Sequence, residues 1–112
     1  MLNEKITLKE FQKLDLRVGK ILEIENHQNA DKLYILTVDL GEERPRQIVA
    51  GLKPCYKKEQ LLNERAIFVA NLEPTIIRGE KSEGMILAAD NGKGSIIFLT
   101  TESDIEIGSK VK

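Results

Sequence analysis

Cys55 and His27 are the two side chains of this sequence whose types could support nucleophilic chemistry, a thiol and an imidazole base. Each is the only residue of its type, so the chain lacks an internal disulfide and the ligands of a cysteine and histidine zinc site. Cys55 lies between Pro54 and Tyr56, a context that does not activate a thiol, and such a cysteine is usually a packed side chain. No GxxxxGK loop is present to hold a nucleotide phosphate. We therefore predict that the protein is not an enzyme and needs no cofactor or metal.

Charged side chains are unevenly distributed along the chain, although the net charge is only −1. The segment 102–106 contains three acidic residues and no basic one. A second segment contains five basic residues and no acidic one: Arg44, Arg46, Lys53, Lys57 and Lys58. A local basic face attracts phosphate even when the total charge is near zero. A charge run is also the ordinary sequence of a solvated surface, so both interpretations stay open.

Length and composition favour one packed globular domain over residues 1–112. Forty-one per cent of the residues are hydrophobic and 31% are charged, which is far from the composition of a disordered chain. No apolar run approaches the roughly 18 residues that span a bilayer. The N-terminal MLNEKITLKEF lacks the apolar core of a signal peptide. We expect a cytoplasmic protein with no membrane partner.

A short helix is predicted near the N-terminus, from about residue 8 to 14. Thr7 and Glu10 match a capping box, and Ile6 and Phe11 occupy the two positions of a hydrophobic staple. The apolar side of this helix needs a surface to cover it, either its own barrel or another subunit.

The rest of the chain reads as short strands. In the first strand the alternation of apolar and polar residues shifts by one position after Gly19, as a glycine bulge or a sharp bend would produce. Several strands are apolar on both faces, which favours a bent barrel over a sheet with one solvent-exposed face. The predicted fold is all-β: an OB-fold with a partly open barrel of five to six strands and a short N-terminal helix. Its predicted strands are DLRVGKILEIE, KLYILTVDLG, RQIVAGL, RAIFVANL, GMILAAD and SIIFLTT, with turn signals at RGEKSEG and DNGKG.

Four stretches of the sequence resemble one family. They are DLRVGKI at 15–21, HQNADKLYIL at 27–36, RQIVAGL at 46–52 and NLEPTIIRGEKSEGMILAA at 71–89. In this order they resemble the tRNA-binding domain of free-standing structure-specific tRNA-binding proteins, of the C-terminal appendix of methionyl-tRNA synthetases and of the endothelial monocyte-activating polypeptide II group. The resemblance implies an OB-fold that binds folded tRNA without catalysis, alone or as an accessory subunit of methionyl-tRNA synthetase. It also implies a homodimer.

The resemblance further implies roles for the residues of the last stretch. Arg78 would make a forked contact to phosphate, Ser82 would donate to a phosphate or ribose oxygen, and Met85 would offer a polarizable surface to a base. Asn71 would bind a base edge or hold the loop. The structural alternatives are a turn residue for Asn71, a local cap for Ser82, core filler for Met85 and a plain hairpin loop for RGEKSEG.

The loop between the first two strands carries the second group of candidates. Lys32 is expected to contact phosphate there, whereas Asp31 is expected to fix the loop through backbone hydrogen bonds. Gln28 stands where the family commonly has proline, which weakens the inference that His27 lies near the rim. The full predicted tRNA-binding set is Lys32, Asn71, Arg78, Ser82, Met85, Arg17, Lys20 and Lys53.

Two features bear on what kind of ligand is recognised. Aromatic residues make up only 4% of the chain, so we expect recognition of folded RNA by shape and backbone rather than base stacking. A secretion-related bacterial chaperone of the same fold resembles the DLRVG and RGEKSEGM regions, and its function is the alternative prediction. The NADKLY motif favours tRNA binding, whereas an exposed apolar patch would favour the chaperone.

Overall fold

The computed structural model describes residues 4–112, which form two short helices and ten strands. Three of the strands lie between the two helices, and seven follow the second helix. The helices are α1, Leu8–Phe11, and α2, Lys58–Leu61. The strands are β1, Leu16–Asn26; β2, Tyr34–Asp39; β3, Arg46–Ala50; β4, Arg65–Val69; β5, Thr75–Ile77; β6, Glu80–Ser82; β7, Met85–Ile86; β8, Ala88–Asp90; β9, Ile96–Phe98; and β10, Lys110–Val111. Neither helix is long and apolar enough to cross a membrane.

The start of α1 confirms the predicted capping box. The Thr7 hydroxyl accepts a hydrogen bond from the Glu10 amide at 3.0 Å, and the Glu10 carboxylate accepts one from the Thr7 amide at 3.0 Å. The helix ends at Phe11 rather than Leu14, because the next turn changes to three-residue hydrogen bonds, among them one from the Leu14 amide to the Phe11 carbonyl. No residue of α1 is buried, so its apolar side is uncovered.

The main sheet confirms the predicted all-β OB-fold. Its strands lie in the order β3, β2, β1, β4, β7, all neighbours are antiparallel, and β10 pairs with the start of β1. Alternate side chains of β2 are buried, as its sequence predicts. The core inside the curled sheet contains Phe68, Ile21, Leu36, Ile48 and Leu61, all fully buried.

The barrel closes where β3 meets β6 and the residue after it, Glu83. The Glu83 amide donates to the Gln47 carbonyl at 2.8 Å, and the Gln47 side chain donates to the Lys81 carbonyl at 2.8 Å. The Val49 amide donates to the Ser82 hydroxyl at 3.0 Å instead of to a carbonyl. A side-chain oxygen therefore takes the place of a backbone acceptor at the seam of the barrel.

The irregularity of β1 lies three residues beyond the position predicted for it. Gly19 pairs regularly with Ala66, and the register shifts only at Leu22. A Cβ at Gly19 would lie 2.7 Å from Leu40 Cδ2 and 2.9 Å from Phe68 Cδ1. Close packing of the core therefore requires glycine at position 19. The register shift at Leu22 does not depend on this glycine.

The RGEKSEG stretch is only partly a loop. Arg78 and Gly79 form a two-residue turn with φ of 54° and 90°, and the following residues form β6, which pairs with β5. Positive φ at both central residues is the signature of a type I′ hairpin turn. The predicted strand GMILAAD is likewise divided, into β7 of the main sheet and β8, which pairs with β9 in a separate hairpin.

Candidate nucleic-acid interface

Lys32 and Arg78, far apart in sequence, line one surface depression. The depression has a volume of about 410 Å³ and lies between the β1–β2 loop and the tip of the β5–β6 hairpin. Ala30, Asp31 and Leu33 complete its lining. Both cations are exposed, and within residues 4–112 neither forms an ion pair. Two unpaired cations at one concave site form a surface suited to phosphate oxygens.

His27 is buried and is not among the residues that line this depression. Its side chain is 4% exposed, and both ring nitrogens are within hydrogen-bond distance of backbone groups. Nδ1 accepts from the Asn29 amide at 3.0 Å, and Nε2 lies 3.0 Å from the Ile77 carbonyl of β5. The imidazole therefore joins the β1–β2 loop to the hairpin.

Ser82 occupies the barrel seam with its hydroxyl fully engaged. It is 4% exposed, accepts from the Val49 amide and donates to the Gly84 carbonyl at 3.0 Å. Its only hydroxyl proton is thus donated to a backbone carbonyl. This arrangement matches the structural alternative given for Ser82, a local cap. Met85 differs, since it is 45% exposed at the start of β7 and is not core filler. Both residues line a smaller cleft of about 160 Å³, which Leu72 borders.

Asn71 follows the end of β4 and holds the segment before β1. Its side-chain oxygen accepts from the Asp15 amide at 2.8 Å, and its side-chain nitrogen donates to the Lys13 carbonyl at 2.7 Å. The segment held in this way is residues 13–15 and not the RGEKSEG loop, for which the prediction was made. These bonds fix the entry of the chain into β1 and do not bring Asn71 to the depression of Lys32 and Arg78.

Arg17 is bound within the protein by its neighbours. Its Nε lies 2.6 Å from Asp15 Oδ1, and its Nη1 donates to the Gly108 carbonyl at 3.1 Å. The hydrogen bond from Arg17 holds the pKa of Asp15 below its usual range, against a small opposing effect of burial. Lys110 adds a second contact to Asp15 at 3.3 Å. A cation with these partners is less available to phosphate than an unpaired one.

The basic run between 44 and 58 does not form a uniform cationic face. Arg46 pairs with Glu42 at 2.8 Å and donates to the carbonyls of Ala70 and Glu83. The pKa of Glu42 is lowered chiefly by its hydrogen bond from Arg46, and the pKa of Arg46 is raised by the same bond. Lys53 is half-buried just after β3.

Lys20 is half-buried within β1 and lies opposite Asp39 of β2 and Arg65 of β4. Like Lys53, it is not part of the lining shared by Lys32 and Arg78. The structure therefore brings two of the eight predicted residues together at one depression and two more, Ser82 and Met85, at the smaller cleft.

Asn29 is the residue that sequence reasoning missed. Its side-chain nitrogen lies 3.4 Å from the Arg78 carbonyl, so it adds a second link between loop and hairpin. The sequence offers one signal for it, because asparagine in a short polar loop commonly bonds to nearby backbone. The partner across the loop could not be read from that signal.

Comparison with known proteins places these features in a family. Residues 16–110 match the family model described as a putative tRNA binding domain. The methionine–tRNA ligase of Pyrococcus horikoshii is 53% identical over 109 residues, which are 97% of this chain and 15% of that enzyme. The ligase of Methanocaldococcus jannaschii is 46% identical over 109 residues, 97% of this chain and 17% of the enzyme. The chain thus spans about a sixth of the length of these relatives.

Solved structures give the same fold over nearly the whole chain. A MetRS related protein from Pyrococcus horikoshii superposes with a TM-score of 0.90 at 30% identity, covering 98% of this chain and 100% of that one. The CsaA chaperone of Picrophilus torridus has a TM-score of 0.87 at 34% identity, covering 96% of this chain and 100% of the other. The family match over residues 16–110, with these likenesses, shows that the chain belongs to the family of putative tRNA-binding domains.

Proposed function

We propose that this domain binds folded tRNA, with the depression of Lys32 and Arg78 as its phosphate-binding centre. The observation that carries the proposal is the convergence of these two exposed, unpaired cations, in a chain of this family. The domain supplies binding and no catalysis of its own. Met85 lies at the separate cleft, where its exposed thioether offers a surface to an unstacked base.

Recognition through shape and backbone follows from how the aromatic side chains are used. Tyr34 and Phe68 are buried, and the rings of Tyr56 and Phe98 pack on one another with centroids 5.2 Å apart. Phe11 on α1 is the one exposed ring in the described part of the chain, and a single ring offers no series of stacking positions. Rings committed to the core cannot form the stacking platform of a single-strand binder. Affinity should then depend mainly on phosphate contacts and fall steeply with salt.

A titration of bulk tRNA at several salt concentrations tests the proposal, with unstructured RNA of equal length as the competitor. The variants are Lys32→Ala and Arg78→Ala. Lys112→Ala is the matched control, because Lys112 is exposed and follows β10, which pairs with the opposite end of β1. Each site variant should weaken binding and reduce the slope of log affinity against log salt by roughly 0.7 to 1. Equal binding of both RNAs, or site variants that match Lys112→Ala, would refute it.

We further propose that the domain serves methionyl-tRNA synthetase, as an accessory subunit or as its tRNA-binding part. This proposal rests on the ligases that share almost the whole chain. A weak binder linked to an enzyme raises the effective tRNA concentration there without new contacts. Such a role predicts a cytoplasmic location. Pull-down with the tagged domain should retrieve the synthetase, and recovery of none at low and at physiological salt would contradict the partnership.

The uncovered apolar surface supports a homodimer. Leu16, Val18, Ile67 and Val69 form a second hydrophobic cluster on β1 and β4, separate from the core and buried within the chain. Leu99 lies beside it, since its carbonyl accepts from the Ile67 amide at 3.1 Å, and its side chain is 42% exposed. A second copy would cover the exposed side chains of Leu99 and Ile97 beside this cluster. We expect a dimer by light scattering and a monomer for Leu99→Lys, and a wild-type monomer at high concentration would refute the assignment.

A polypeptide-binding chaperone is the second candidate. It is favoured by the likeness to CsaA and by exposed apolar residues such as Leu8 on α1. The two candidates differ in their expected effect on an unrelated denatured protein. A tRNA binder should leave the aggregation of an unrelated denatured protein unchanged, whereas a chaperone should suppress it at stoichiometric amounts.

A further inference from the structure

The β5–β6 hairpin that carries Arg78 has little support of its own. Its two strands have three residues each and pair only with one another in the sheet assignment. A two-stranded hairpin of this length is marginal in water. Arg78 also has a φ of 54°, which costs a non-glycine residue about 1 kcal/mol or more. The position of the hairpin tip therefore depends on contacts from outside the hairpin.

On one side of the turn, β6 is held to β3 by the hydrogen bonds of Gln47 and Val49 at the barrel seam. On the other side, the residues entering the turn are held from the loop between β1 and β2. His27 Nε2 reaches the Ile77 carbonyl at 3.0 Å, and the Asn29 side chain reaches the Arg78 carbonyl at 3.4 Å. These are the carbonyls of two successive residues entering the turn. The His27 bond is the stronger link by distance and by burial, since Asn29 is exposed.

The hydrogen bonds of His27 define its chemical state. Nδ1 must accept, because its partner is the Asn29 amide, which can only donate. Nε2 must donate, because its partner is the Ile77 carbonyl, which can only accept. The ring is therefore the neutral imidazole with its proton on Nε2. One nitrogen shapes the β1–β2 loop around Lys32, and the other attaches that loop to the hairpin of Arg78.

We propose that His27 is a positioning residue for RNA binding, which holds Lys32 and Arg78 at one depression without contacting RNA. The inference rests on the proposed function, because it assigns a support to the same site. Two cations fixed at one place bind phosphates with less loss of side-chain and loop entropy on association than two cations on independently moving loops. Loss of the cross-loop bond should weaken binding although both charges remain.

Two substitutions separate the two hydrogen bonds. In His27→Gln the side-chain amide nitrogen can occupy the place of Nε2 and donate to Ile77, so the cross-loop bond is kept. In His27→Asn the shorter side chain can place its oxygen where Nδ1 lies and accept from Asn29, so only the loop bond is kept. Both variants are neutral, so their net charge equals that of the imidazole. We expect His27→Asn to bind tRNA about 10-fold more weakly, the equivalent of one hydrogen bond, and His27→Gln to stay within about 3-fold of wild type.

A double-mutant cycle supplies a measurement that general destabilisation would not change. In the His27→Asn background, Arg78→Ala should cost less affinity and less salt slope than in wild type, because Arg78 is already displaced. Lys112→Ala, the distant control, should have the same effect in both backgrounds. Circular dichroism and thermal unfolding confirm that each variant is folded at the temperature of the titration.

If His27→Asn does not fold, Asn29→Ala replaces it, since this exposed residue provides the second cross-loop bond. It should weaken binding about 3-fold and be non-additive with Arg78→Ala. Equal affinities and salt slopes for the Asn and Gln variants, or full additivity with Arg78→Ala, would overturn the positioning role while leaving tRNA binding intact. Wild-type protein that does not prefer tRNA would overturn the proposed function itself.

Discussion

Replacing Ser82 with alanine should reduce stability far more than RNA affinity. The change removes an acceptor from the Val49 amide and a donor from the Gly84 carbonyl, both at 3.0 Å. The side chain is buried, so water does not readily replace the hydroxyl. Leaving a buried polar group without its partner costs about 1 to 3 kcal/mol. We expect the free energy of unfolding to fall by about 2 kcal/mol.

The assay is thermal and urea unfolding, with tRNA titration well below the melting temperature. An unfolding entropy of about 2.1 cal/mol/K per residue gives this chain a change in Tm of about 4 °C per kcal/mol, so Tm should fall by about 4 to 13 °C. The tRNA affinity of the folded variant should stay within about 3-fold of wild type. Ser103→Ala is the control, because Ser103 is an exposed serine in the loop before β10 and should change stability by less than about 0.5 kcal/mol.

The opposite pattern would refute the reasoning. If Ser82→Ala melted at the wild-type temperature but bound tRNA much more weakly, the hydroxyl would act on RNA rather than on the barrel seam. The direct role that the family resemblance implies would then stand.

Three further predictions concern the turn, the seam and the first strand. Arg78→Asn should raise the free energy of unfolding by about 0.5 to 1 kcal/mol, since asparagine tolerates positive φ better, while salt-dependent tRNA binding weakens. Gly84→Ala should lower Tm by more than about 4 °C in calorimetry, because its Cβ would lie 2.9 Å from the Val69 carbonyl oxygen at a φ of 149°; an unchanged Tm would contradict this. Asp15→Asn should cost about 0.5 to 1 kcal/mol at neutral pH in urea unfolding. Arg17 lowers the folded-state pKa of Asp15, so this contribution to stability is complete above the unfolded pKa. It is lost as pH falls through the folded pKa, and the difference from wild type should vanish below it. A difference that stays constant with pH would contradict this.

The sequence predicts local features of this fold better than long-range ones. The capping box of Thr7 and Glu10 is complete within four residues, and the alternation of β2 is set by side-chain period alone. Gly19 shows the limit of such reasoning. Its role depends on Leu40 and Phe68, which reach it only after β1, β2 and β4 have come together. The apolar phase indicated an irregularity in β1 but not that it lies at Leu22.

The candidate site shows the same division. Lys32 and Arg78 were predicted as separate contacts, and their sharing of one depression depends on where the hairpin folds. A hairpin loop over the whole RGEKSEG stretch was one interpretation of the sequence, but the two-residue turn at Arg78 and Gly79 was not predicted. The pairs that signal type I′ turns are Asn-Gly and Asp-Gly, and here the pair is Arg-Gly. Ser82 was predicted on the RNA surface because sequence does not reveal that a hydroxyl can complete a seam between strands.

Among the residues that the structure describes, Arg78 lacks the carboxylate partner that three of the other four arginines have, and its positive φ distinguishes it from the fourth, Arg44. Arg17, Arg46 and Arg65 each pair with a carboxylate and donate to a backbone carbonyl, so folding itself accounts for their residue type. Arg78 makes no such pair within residues 4–112 and occupies a backbone conformation that asparagine or glycine would adopt at lower cost. A long cation that weakens its own turn contributes nothing to the hairpin, which supports a contribution to a ligand. Because Lys32 lines the same depression, this argument supports the proposal that both residues bind phosphate.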